Sequence, residues 1–144
     1  MNWIEVLQPK MNGTLDNRIY GVVNGKVTAV GKNENAGAVK LSFPWLMDET
    51  NNESNWARVA VPFAGHNRGA WFIPQVDDEV LVAFLHGDIN KPVVIGCLWN
   101  GKDRPPENVA PDTILIQDKH GSYIRIDEKG IAIQSKKIHL NPES

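Results

Sequence analysis

The chain has 144 residues, 42% of them hydrophobic, with 15 basic and 17 acidic side chains and a formal net charge of -2. That length holds one ordinary domain plus an appendage, and charges interspersed without blocks give no footprint for nucleic acid. No apolar run approaches the ~18 residues that span a bilayer, and Cys97, the only cysteine, excludes an intrachain disulfide or a cysteine-rich zinc site.

The start, Met1-Asn2-Trp3-Ile4-Glu5, lacks the layout of a signal peptide, so the sequence predicts synthesis in the cytoplasm. A helix is allowed only near Ile4 to Leu7, or as a turn near Arg68 to Trp71. Strands are predicted for Tyr20 to Val30 and for Ala38 to Phe43, where Val39, Leu41 and Phe43 share one face. Further strands are predicted for Ala57 to Val61 and for Glu79 to Leu85, with Val80, Val82 and Phe84 on one face. Pro92 to Leu98 is nearly continuous and apolar, the pattern of a strand buried on both faces, and this predicts a buried Cys97.

The separators carry turn chemistry: Gly31 to Gly37, Asp48 to Asn55, Asp77-Asp78 and Gly87 to Lys91. Short strands at this spacing predict an all-β sandwich or barrel. Asn100 to Pro111, with three prolines, reads as an extended linker.

Beyond it the rule changes. Ile124 and Ile126, Ile131 and Ile133, and Ile138 and Leu140 form apolar pairs two residues apart, each pair on one face of a strand. The step from one pair to the next is odd, which would flip a straight strand. A corner is therefore expected at Gly130 and at Ser135-Lys136. Strands with one apolar face cannot bury that face alone. Three copies wound about one axis would turn all these side chains inward, at roughly 1.5–3 kcal/mol for each one fully buried, less the costs of ordering and association. Periodicity alone leaves this open against a C-terminal meander folded onto the main domain.

The middle of the chain carries a resemblance. Val39 to Leu46 (VKLSFPWL), Trp56 to Gly65 (WARVAVPFAG), Gly69 to Val82 (GAWFIPQVDDEVLV) and His86 to Gly96 (HGDINKPVVIG) follow one another. Together they resemble the OB-fold domain of the contractile-tail spike family, which includes phage baseplate assembly protein V, the tail lysozyme spike of T4-like phages and the VgrG proteins of type VI secretion. The tail resembles the start of that family's β-helical needle.

The resemblance implies an N-terminal segment (1–17), an OB-fold five-stranded barrel (18–104), a linker (105–112) and a short triple-stranded β-helix (113–144) in an intertwined homotrimer. Phe43, Pro44, Trp45, Trp56, Gly65, Pro74, Gly87, Asp88 and Gly96 would serve as barrel scaffold. Pro44 ends a strand, Gly65 and Gly69 free the backbone around a loop, Phe72 to Pro74 close the barrel with bulk, and Gly87-Asp88 makes a tight turn. The trimer core would comprise Ile124, Ile126, Ile131, Ile133, Ile138 and Leu140. The implied function is a structural, membrane-piercing spike within a virion or phage tail-like particle. It would meet a baseplate hub or tail tube protein at its barrel end. A PAAR-like tip protein would sit on Ile138, His139, Leu140 and Asn141. Departures are the short segment before the barrel, where VgrG proteins carry a long hub, the lack of room for a lysozyme domain between Pro105 and Asp112, and the lack of a His-x-His iron site.

Other chemistry is weaker. His66, His86, His120 and His139 do not stand at metal-ligand spacing, so neither metal nor cofactor is expected. Asp77, Asp78 and Glu79 fit a solvated turn better than two carboxylates across a glycosidase cleft. Ser122 lacks a nucleophile elbow, so no catalytic residue is expected. Trp45, Trp56, Trp71 and Trp99 would suit a monomeric OB-type module that stacks oligonucleotides or binds oligosaccharides, but basic residues do not interleave with them. A cell-wall hydrolase accessory is the other alternative; it would need catalytic pairs that the sequence does not offer.

Overall fold

In the computed structural model, residues 10–11, 14–15, 18–45, 53–141 and 143 are described. The helix allowed near Ile4 to Leu7 lies outside them. The described chain is all β apart from two short 3-10 turns. In order the strands are β1 (Lys10–Met11), β2 (Thr14–Leu15), β3 (Val22–Val30), β4 (Ala38–Ser42), β5 (Ala57–Val59), β6 (Ala64–Gly65), β7 (Arg68–Gly69), β8 (Glu79–Phe84), β9 (Pro92–Leu98), β10 (Ile114–Gln117), β11 (Tyr123–Asp127) and β12 (Gly130–Gln134). Two compact units divide at Arg104 and Pro105.

The first unit is built on a closed five-strand barrel in the order β3-β4-β5-β9-β8, returning to β3. Four contacts are antiparallel; β5 and β9 pair in parallel, Arg58 opposite Val93 and Val59 opposite Val94. This is the closed form of a five-strand OB-like barrel, which leaves none of its strands with an unpaired edge of its own. Alternation drives it. Val80, Val82 and Phe84 in β8, and Val39 and Leu41 in β4 followed by Phe43, all point to the core with Ile19, Val27, Ala57 and Val94. The Phe43 ring lies 5.8 Å from Phe84 and 5.2 Å from Trp45, spacings at which aromatic pairs add to area burial.

Two bulges shape the barrel. Thr28 is the extra residue where β3 meets β4, since Val27 pairs with Leu41 and Ala29 with Lys40. Ile95 is the extra residue where β9 meets β8, since Val94 pairs with Val82 and Gly96 with Leu81. The second bulge corrects the expectation of a strand buried on both faces. Pro92 and Val94 are buried, but Ile95 and Leu98 are exposed, and Cys97 is exposed as well. The extra residue breaks the alternation that a regular strand would have carried into the core.

The segment from Arg68 to Trp71 is not a helical turn. β6 and β7 form a hairpin, with Gly65 opposite Arg68. Asn67 supplies the positive φ (52°) that so short a reversal needs. Asn100 to Asp103 is not extended either. Asn100 Oδ1 accepts from the N–H groups of Lys102 (2.9 Å) and Asp103 (2.8 Å), closing a turn.

The extra residue in β3 also has an electrostatic consequence. Thr28 Oγ1 donates to Glu53 Oε2 at 2.9 Å, and Lys40 Nζ lies 3.0 Å from Glu53 Oε1. The hydrogen bond from Lys40, then that from Thr28, holds the Glu53 carboxyl below its ordinary 4.5. A depressed folded value stabilises the barrel above the unfolded value, and that contribution is lost as pH falls through the folded one. Glu53→Gln should therefore flatten the loss of stability below pH 4.5, read as the urea midpoint across an acid series. The effect is small, because the carboxylate is open to water.

The second unit is a three-strand antiparallel meander in the order β10-β11-β12. β11 and β12 are joined across Glu128-Lys129, with Asp127 opposite Gly130 and Ile126 opposite Ile131. Gly130 has φ 117°, which glycine adopts freely. The odd step between apolar pairs is thus absorbed by a reversal of the chain at Gly130, not by a corner in a continuing strand.

Candidate functional site

The meander's two faces are unlike. Even-numbered positions of β10 and β11 and odd ones of β12 share one face. Ile114 sits opposite Ile126, Ile116 opposite Ile124, Ile124 opposite Ile133 and Ile126 opposite Ile131. Six isoleucines therefore tile one side of the sheet. All are exposed, from 41% for Ile126 to 72% for Ile131.

The opposite face is polar and internally bonded. Tyr123 Oη donates to Gln134 Oε1 (3.0 Å). The Arg125 guanidinium lies 5.6 Å over the Tyr123 ring, and its Nε is 2.9 Å from Asp127 Oδ2 without the N–H aligned for a hydrogen bond. The loops are tied by carboxylates. Asp118 Oδ1 accepts from the N–H groups of His120 (3.0 Å) and Ser122 (2.9 Å), and Asp127 Oδ1 from that of Lys129 (2.9 Å).

This arrangement is energetically incomplete. No described residue from 105 onward is buried. A sheet of three short strands with no buried side chain lacks the burial that offsets its conformational entropy. Contiguous exposed aliphatic surface of this kind marks a candidate interaction site.

The sequence expectations map onto this site unevenly. Ile124, Ile126, Ile131 and Ile133 come together on one face. Ile114 and Ile116 complete it and were not foreseen, although they show the same two-residue spacing. Ile138 and Leu140 do not form a strand; they lie exposed in irregular chain beyond β12 with His139 and Asn141.

The residues expected as barrel scaffold sit in the barrel unit. Phe43 and Pro74 are buried. Pro44 follows the end of β4, and Trp45 Nε1 donates to the Asn24 carbonyl at 3.0 Å. The Trp56 ring lies under Lys40 Nζ at 5.3 Å. Gly65 forms β6, and Gly96 follows the bulge. Gly87 has φ 77°, and a Cβ there would meet Arg18 Cβ at 2.8 Å. Asp88 Oδ1 accepts from Asn90 N at 2.9 Å. Phe72 is more than half exposed, so the bulk that closes the barrel at this segment is Ile73 and Pro74.

The weaker candidates stay scattered. His66, His86, His120 and His139 are all exposed, and no group of three metal-ligating side chains occurs among the described residues. Asp77 takes a positive φ (77°) and pairs with Lys26 Nζ at 3.0 Å, which with the lysine's charge holds its carboxyl below the ordinary value. Asp78 Oδ2 accepts from Gln75 N (2.8 Å). The pair caps a turn. Trp71 and Trp99 are exposed, so neither ring belongs to the core. Among the described residues no helix is long and apolar enough to cross a membrane.

A closed OB-like barrel followed by a β unit with one aliphatic face places the chain in the all-β class. Residues 23–99 match the family described as the type VI secretion system/phage-baseplate injector OB domain, and the chain belongs to that family. It is similar to the type VI secretion system spike protein VgrG3 of Vibrio cholerae, 32% identical over 119 residues, covering 78% of this chain and 11% of the relative. It is also similar to the spike protein VgrG5 of Pseudomonas aeruginosa, 40% identical over 89 residues, covering 60% and 11%. A third relative is the actin cross-linking toxin VgrG1 of Vibrio cholerae, 34% identical over 89 residues, covering 58% and 8%. The chain spans about a tenth of the length of these relatives.

Proposed function

We propose that this chain is a structural spike component of a contractile injection system, working as a homotrimer without catalytic activity. The observation that carries the proposal is the exposed six-isoleucine face on a unit with no buried residue of its own. Three such faces turned to a common axis remove eighteen isoleucines from water, six from each chain. Each is already about half covered, so its further burial contributes roughly 1 kcal/mol, and the sum outweighs a moderate association cost. The sheet edges of β10 and β12 then pair between chains, which protects them and stiffens the bundle.

In this reading residues 113–144 form a triple-stranded needle, 105–112 a linker and 18–104 the barrel that meets a baseplate hub or tail tube protein. Ile138 to Asn141, which lack a strand in the single chain, order between copies and receive a PAAR-like tip protein. The family relationship supports the baseplate setting. Sheath contraction drives the spike transiently through a target membrane, and stiffness matters more than affinity. The particle is assembled from protein made in the cytoplasm.

An epitope placed at residue 144 and followed by gold labelling of purified contractile particles tests the proposal. Label is expected at the distal tip of the tube. Label along the sheath, or only on protein that never enters particles, would count against it.

A further inference from the structure

We propose that Asn100 is a site of spontaneous deamidation, promoted by the turn it closes. The described chain contains two Asn–Gly pairs, Asn24–Gly25 and Asn100–Gly101; a third, Asn12–Gly13, lies outside the described residues. Asn–Gly is the sequence in which the following amide nitrogen reaches the asparagine side chain most easily, because glycine presents no Cβ to that approach. The structure treats the two described pairs very differently.

In the reaction, the Gly101 nitrogen attacks Asn100 Cγ. A Gly101 N–Cγ bond forms, the Cγ–Nδ2 bond breaks, and ammonia leaves with the proton that the Gly101 amide gives up through water. The product is a five-membered succinimide. Water then adds to one of its two carbonyls, giving aspartate or isoaspartate. The net change is one water consumed and one ammonia released, with no change of oxidation state.

Three features favour this at Asn100. Gly101 is exposed, a Cβ placed on it would have nothing within 4 Å, and its N–H donates to no protein group among the described residues. The nucleophile is therefore open. The Asn100 Oδ1 atom already accepts from the backbone N–H groups of Lys102 and Asp103, at 2.9 and 2.8 Å. That oxygen takes up negative charge when the nitrogen adds, so the two donors form a small preorganised oxyanion site. Arg104 Nε lies 3.4 Å from the Gly101 carbonyl oxygen, a weak hydrogen bond whose positive charge makes release of amide protons nearby easier.

Asn24 has none of this. It lies inside β3, where Asn24 pairs with Leu81 and Gly25 with Val80, and its carbonyl accepts from Trp45 Nε1 at 3.0 Å. The ladder fixes the backbone on both sides of the amide that would have to swing onto the side chain.

Position gives the modification consequence. Asn100 follows the end of β9 at Leu98, just before the division between units after Arg104. Aspartate there keeps both accepted hydrogen bonds and adds one negative charge beside Lys102 and Arg104. Isoaspartate routes the main chain through Cβ and dismantles the turn where the chain leaves the barrel.

The test uses the full chain, aged at physiological temperature and mildly alkaline pH, then digested and mapped by mass spectrometry with isoaspartyl methyltransferase labelling. Asn100 is expected to convert about tenfold or more faster than Asn24 in the native protein, and faster natively than in urea, since only the folded turn holds the two donors. Gly101→Ala should slow the native reaction at Asn100 while leaving the urea midpoint unchanged. The proposal is overturned if Asn100 converts more slowly folded than unfolded, if it is no faster than Asn24, or if Gly101→Ala leaves its rate untouched.

Discussion

Ile126→Asp combined with Ile133→Asp is expected to convert the proposed trimer into single chains. In the single chain both side chains are exposed, at 41% and 52%, so carboxylates there meet water and leave the barrel, whose core lies in the first unit, intact. In the proposed trimer the same positions face the axis, and six carboxylates are brought together in an apolar interior. Each would lose several kcal/mol of hydration with no partner, besides the aliphatic burial it replaces. That sum exceeds what burial of the remaining isoleucines in the proposed trimer can offset. The expected result is a single-chain mass with an unchanged urea midpoint for the barrel. A trimeric double variant would remove the isoleucine face from the account.

Leu41→Ala has the opposite signature. Leu41 is fully buried among Val27, Val39, Val80, Val82 and Val94, and its loss leaves a cavity in a closed barrel that has little room to collapse. A destabilisation of about 2–5 kcal/mol is expected, seen as a lower urea midpoint at unchanged slope. The chain ending at Asp112 should show the same loss, because the barrel's core lies entirely within the first unit. A loss that vanished on truncation would mean that the barrel's stability is borrowed from the second unit.

The barrel strands were legible because their apolar residues alternate without interruption. Val39-Leu41-Phe43 and Val80-Val82-Phe84 each announce one buried face, and each was found on it. The end of β9 departs from the sequence pattern because a bulge carries no composition signal: Ile95 looks like any other β-branched residue in an apolar run. Two-residue strands such as β6 and β7 are too short to show a period at all. In the second unit the pairing rule was legible and its geometry was not. Ile114 and Ile116 were overlooked because the Asp118 to Ser122 loop lengthens the interval to Ile124 and breaks the seven-residue rhythm. The turn at Gly130 was read as a corner because sequence spacing reports which face a residue takes, not whether the chain reverses.

In the proposed trimer the isoleucine faces turn toward one another. Light scattering of the full chain, run beside the chain ending at Asp112, measures this directly. Three times the 16.0 kDa chain mass for the full protein, falling to a single chain after truncation, is the expected result. A full-length protein that stays at 16.0 kDa at high concentration would contradict it.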